Sequence, residues 1–116
     1  MVYVALMPSM RLIRIADRLA QLEAGSNAAD KAIHDALGLP GAVRGYTTSE
    51  AAARGLLPDG FEWLLPVFSA GAVYAACRRS GLDGEFPYPH HGQWGRTTPL
   101  AMCGAAMRAY AKLRQE

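Results

Sequence analysis

Phe61-Glu62-Trp63-Leu64-Leu65-Pro66-Val67-Phe68-Ser69-Ala70-Gly71-Ala72-Val73-Tyr74-Ala75-Ala76-Cys77-Arg78-Arg79 decides the fold class of this chain. Phe61, Trp63, Leu65 and Val67 alternate, as side chains do along a strand, while Leu64 and Phe68 fall on the opposite face. Apolar residues on both faces predict a strand covered on both sides. Pro66 has no N–H to give to a ladder, so that part belongs at an edge or a bulge. Pro58-Asp59-Gly60 is a turn before the stretch, and Ser69-Ala70-Gly71 is a tight turn inside it. The residues from 72 to 79 then read as the returning strand of a hairpin, although Ala72–Cys77 is also compatible with a helix.

Working outward, the segment after the hairpin is the longest without clear periodicity. It runs from Ser80 to Arg96 and reads as a long loop, part of which can add a strand. Loops of that length in small domains are functional or mobile. Beyond it, Leu100, Cys103, Met107, Tyr110 and Leu113 recur at helical spacing and predict a long C-terminal helix. Thr98 is placed to cap it and Pro99 to occupy its first position. Lys112 and Arg114 suit its C-terminal end, where the helix dipole is negative.

Three helices are predicted before the hairpin. Ser9 caps the first, Leu12, Ile15, Leu19 and Leu22 form its apolar stripe, and Gly25 ends it in a left-handed conformation. The second starts at Ser26 or Asn27, carries Asp30 in its first turn, and stops at Gly38 and Pro40. Thr47-Thr48-Ser49-Glu50 reads as a capping box, with the Thr47 hydroxyl on the Glu50 amide, ahead of a short helix ended by Gly55. Residues 2–7 are either a short strand or a disordered leader. The expectation is a single α+β domain over 1–116: a small antiparallel sheet, its hairpin at about 61–79, sandwiched between helices.

Three pieces, in this order, resemble the small phage and prophage proteins grouped as the phage ABA-sandwich domain. They are Ala32-Ile33-His34-Asp35-Ala36-Leu37-Gly38, then Tyr46-Thr47-Thr48-Ser49-Glu50-Ala51-Ala52 with Leu57-Pro58-Asp59-Gly60-Phe61-Glu62-Trp63, then Thr98-Pro99-Leu100-Ala101-Met102-Cys103-Gly104-Ala105-Ala106-Met107-Arg108-Ala109. The resemblance implies a small antiparallel sheet between helices. It implies no catalytic residues.

Composition narrows the function classes. With 51% hydrophobic and 19% charged residues the chain is globular in character. Its net charge of +2 is spread evenly along the chain, whereas a nucleic-acid binder shows a basic stripe, so that class is disfavoured. The N-terminal apolar run is too short for a signal-peptide core and no run approaches a membrane span, which predicts a cytoplasmic protein with no membrane partner, in a bacterial host on the phage resemblance. Cys77 and Cys103 read as buried, reduced thiols rather than half of a metal site.

No catalytic, metal or cofactor site is expected. Adjacent His90 and His91 diverge and lack ligands at the usual zinc spacing. There is no G-x-S-x-G and no phosphate-binding glycine loop. The candidate binding residues are Phe86, Tyr88, His90, His91, Trp94 and Arg96, because aromatics and arginine in a Pro- and Gly-rich loop are typical interface anchors. The leading expectation is a non-catalytic phage or prophage accessory protein that binds another protein, in its sharper form an anti-CRISPR-like inhibitor of a host defence complex. A homo-oligomer is compatible with the sequence. The alternatives are a small-molecule or nucleotide binder, using a pocket between the sheet and the 80–96 loop, and, with least support, an enzyme using His90 or His91 as base.

Overall fold

A computed structural model describes residues 8–81 and 90–115. The elements run α1 (Pro8–Gln21), α2 (Asn27–Leu37), α3 (Glu50–Arg54), β1 (Phe61–Trp63), β2 (Val67–Ser69), β3 (Ala72–Arg79), β4 (His91–Gly95) and α4 (Thr98–Gln115). The α+β class, the antiparallel sheet and the long C-terminal helix stand as the sequence predicts. The residues 2–7, read as strand or leader, lie outside the described residues.

The hairpin forms over 61–79, and β3 is the centre of the sheet. β1 and β2 lie end to end along one edge of β3, and β4 pairs with the other, all antiparallel. Ser69 pairs with Ala72, so the turn has two residues, Ala70 and Gly71, with φ of 50° and 78°. Positive φ at both positions is the type I′ condition, whose twist matches that of the strands. Between the pairs Trp63–Cys77 and Val67–Tyr74, Leu64, Leu65 and Pro66 stand against only Ala75 and Ala76. That is a bulge of one residue, at the proline that cannot serve a ladder.

The bulge corrects the simple alternation. Side chains have a period of two, so one inserted residue moves everything after it to the other face. Phe61 and Trp63 point towards α4, but Val67 shares the outer face with Tyr74, and Leu65 is almost fully exposed. β2 is exposed along its whole length rather than covered on both sides.

α4 forms the middle layer. Ten of its residues are buried, among them Ala101, Gly104, Ala105, Ala106, Ala109 and Ala111. A helix apolar around most of its circumference belongs inside, and small residues let neighbours approach closely on several sides. The sheet packs on one side of α4 and α1 on another. Leu12, Ala16, Leu19, Ile33, Leu100, Cys103 and Met107 share one buried cluster. The other sheet face carries no helix among the described residues.

Several predicted caps move by a residue or two. Thr97, not Thr98, caps α4: its hydroxyl accepts from the Leu100 amide at 3.3 Å. Ser49 caps α3 through the Ala52 amide, because Thr47 turns inward instead. Ser9 lies within the first turn of α1, which begins at Pro8. Ser26 and Gly38 bound α2 as expected, Gly38 in the left-handed region at φ 66°. Gly25 has a different role from the predicted stop. A Cβ there would lie 2.3 Å from the Thr47 carbonyl oxygen, so it admits the loop leading into α3. Arg114 does not serve its own helix end alone; its guanidinium donates to the Ala36 carbonyl at 3.0 Å and so satisfies the end of α2.

Candidate binding surface

The interior is chemically closed. Asp30, 3% exposed, accepts the Thr47 amide at 2.8 Å and the Thr47 hydroxyl at 2.6 Å. His34 Nε2 donates to the Gly41 carbonyl at 3.0 Å; a carbonyl can only accept, so in the neutral ring Nδ1 accepts the Tyr46 hydroxyl at 2.9 Å. Gln93, on the inner face of β4, donates to the Ala16 carbonyl at 2.6 Å and accepts from Arg108 Nε at 2.8 Å. Arg108 in turn reaches Asp17 at 2.6 Å, tying β4, α4 and α1 together. No buried side-chain nitrogen or oxygen among the described residues lacks a partner.

The thiols are equally inert. Cys103 Sγ donates to the Tyr46 carbonyl at 3.1 Å, and burial, reinforced by Asp30, pushes the thiol up to about 12. Burial also pushes Cys77 up to about 12. A thiolate is the nucleophile and metal ligand, so both remain in their unreactive form at neutral pH. His91 stands opposite Cys77 in the register. Cys103 is committed to Tyr46 and not to His91.

The six candidate residues separate. Phe86 and Tyr88 lie outside the described residues. His91 opens β4 rather than belonging to a loop; its ring tilts against Phe61 at 6.1 Å, on the inner side. His90 is exposed and meets Tyr74, whose hydroxyl lies 3.3 Å from His90 Nε2. The adjacent histidines thus diverge to different neighbours. Trp94 is also a strand residue, paired with Tyr74 on the outer face; it is 46% exposed, with its ring 5.3 Å from that of Tyr74. Arg96 is exposed just beyond β4. Among the described residues, no three His, Cys, Asp or Glu side chains gather as metal ligands.

Residues that the sequence reading did not single out complete the surface. Val67, Tyr74 and Trp94 form one row across the outer face, since each stands opposite the next in the register. Gly92 makes the row possible: Tyr74 folds across it, and a Cβ there would meet the Tyr74 hydroxyl at 2.0 Å. Leu65, Val67 and Phe68 are 91%, 53% and 67% exposed. With Trp94 they account for four of the six exposed large apolar side chains among the described residues. The chain matches no protein-family model, no curated protein and no solved structure.

Proposed function

We propose that this chain acts by binding another protein through the outer sheet face and the β2 edge. One observation carries the reading: Val67 and Trp94 are exposed on the outer face either side of Tyr74, with Leu65 and Phe68 exposed beside them along the bulge and the β2 edge, while no buried side-chain nitrogen or oxygen among the described residues lacks a partner. Isolated exposed apolar residues need no explanation, but several of them along one edge beside an exposed aromatic mark an interaction site. Tyr74 and Trp94 are stiff side chains with much area and little rotamer freedom to lose. The resemblance to phage ABA-sandwich proteins makes a phage or bacterial host protein the partner to look for, with an inhibitor of a host defence complex as the sharpest form of the idea.

The test is affinity capture from a bacterial host lysate with the wild-type chain and a Phe68→Ser/Trp94→Ala variant side by side. A partner retained by the wild type and lost by the folded variant supports the reading. A partner retained equally by both refutes this surface as the contact. A second copy of the chain, detected by sedimentation of the purified protein and lost in the same variant, would make the partner the chain itself.

A further inference from the structure

Helix α1 carries a row of arginines with no acidic partner. At about 100° per residue, Arg11, Arg14 and Arg18 fall within an arc of about 60° on one side of the helix, and all three are exposed. Carboxylates nearby in sequence or space are taken by other cations: Asp17 by Arg108 at 2.6 Å and Asp35 by Lys31 at 2.7 Å. No carboxylate among the described residues makes an ion pair with Arg11, Arg14 or Arg18, Glu23 just past the helix end included. Nor does the helix itself gain from the row. Its first turn holds no acid, and Arg11 stands near the N-terminal end, where the dipole disfavours a cation.

Beside the row runs a groove between α1 and α2, with a volume of about 240 Å³. Ile15, Leu19 and Leu22 form its α1 wall, Ala28, Ala29 and Ala32 its α2 wall, and Arg18 lines it as well. Ile15 and Leu22 lie only about 20–40° round the helix from Arg11, so the arginine row and the apolar groove adjoin. The space exceeds the ~150 Å³ cavity that holds one benzene ring.

We infer that the α1–α2 groove docks an acidic, amphipathic helix of a partner protein. Charge complementarity selects the occupant. A helix laid along α1 has the same rise per residue, so carboxylates at i, i+3 and i+7 meet the three arginines in turn over roughly 10 Å. Apolar side chains in the neighbouring row of that helix enter the groove, as in other helix-in-groove complexes, and the short alanine side chains of α2 let it approach closely. A phosphate backbone would engage the arginines and leave the apolar walls in water. This surface is separate from the sheet face, and its reading does not depend on the one above.

The probe is a fluorescein-labelled helical peptide of about 18 residues, with a row of Glu beside a row of Leu, titrated with the full chain and read by fluorescence anisotropy. One control peptide has Lys for every Glu, the other Gln for every Leu. The expected result is saturable binding of the Glu/Leu peptide, no binding of the Lys peptide, and at least ~10-fold weaker binding of the Gln peptide. Arg14→Gln/Arg18→Gln, at exposed positions, should weaken the Glu/Leu peptide at least ~10-fold with the unfolding midpoint unchanged. Ala28→Glu sets a negative charge in the groove, at a first-turn position of α2 where an acid suits the helix, and should weaken it similarly. The Phe68→Ser/Trp94→Ala variant should bind the peptide as the wild type does; loss there would place the peptide on the sheet face and overturn the inference. Absence of saturation, equal binding of the Gln peptide, or indifference to Arg14→Gln/Arg18→Gln would overturn it too. So would tighter binding of a DNA duplex or of phosphatidylglycerol vesicles with the same arginine dependence, which would make the row a contact for phosphates.

Discussion

The two faces of the β3–β4 pair use the same strands in opposite ways. On the inner face Val73, Ala75, Cys77, Gln93 and Gly95 are all buried, and Gln93 closes hydrogen bonds to two helices. On the outer face, one residue out of phase, Tyr74 and Trp94 lie against each other and against solvent. The alternation of a strand makes this division possible at no cost in length. It means that substitutions one position apart in sequence should differ in kind: inner ones act on stability, outer ones on association.

The largest contrast should come from Met107 of α4, which is fully buried in the cluster it shares with Leu12, Leu19 and Ile33. Met107→Ala is expected to cost ~2–5 kcal/mol, through lost burial and the cavity left behind, readable as a shift in the denaturant midpoint. An unchanged midpoint would mean that the inner layer is not the stabilising one.

The buried thiols give a pH test of the same side. Cys77 and Cys103 titrate near 9.0 when free and near 12 in the folded chain. Above about pH 9 the unfolded chain loses these protons first, so the native state binds more protons and stability falls as pH rises towards 12. Each thiol contributes at most ~1.4 kcal/mol per pH unit in that window, and nothing below it. Denaturant midpoints across the alkaline range should slope downward, and Cys103→Ala should flatten the slope. A profile indifferent to that substitution would place Cys103 in solvent.

A smaller effect, of opposite sign, is expected at the hairpin turn. Ala70 holds φ 50°, a left-handed conformation that costs a residue with a Cβ roughly 1–2 kcal/mol. Asparagine tolerates it better and is favoured in type I′ turns. Ala70→Asn should therefore stabilise the chain by ~0.5–1 kcal/mol. Destabilisation would argue against the two-residue turn. Smallest of all, Phe68→Ser on the exposed edge should move stability by no more than ~0.5 kcal/mol, measured on the same denaturation curve.

The inner side was more legible in the sequence than the outer. The hairpin, its turn and the proline-marked bulge follow from Pro66 and Ser69-Ala70-Gly71, because turns and ladder breaks depend on single residues. Which face Val67 takes does not follow, since it depends on how many residues the bulge inserts. His91–Gly95 has poor strand propensity, with glycines at 92 and 95. It is a strand because its partner β3 needs those glycines: Tyr74 lies over Gly92, and Gly95 brings β4 against Ala101 of α4. Thr47 satisfied the local capping pattern, and only the tertiary contact with buried Asp30 decided otherwise. Of the candidate site, Trp94 and Arg96 lie at the surface, Trp94 in strand β4 rather than in the loop that the sequence suggests. Leu65, Val67 and Phe68 gave no signal, because in sequence they are indistinguishable from core.

Trp94→Ala tests the central claim most directly, provided that stability and partner affinity are measured on the same preparation. A residue 46% exposed on the outer face should cost the fold no more than ~1 kcal/mol, while affinity for the captured partner falls by ~30-fold, equivalent to ~2 kcal/mol. Destabilisation of ~3 kcal/mol or more would make Trp94 a core residue. Unchanged affinity in a folded variant would remove the outer face from the binding surface.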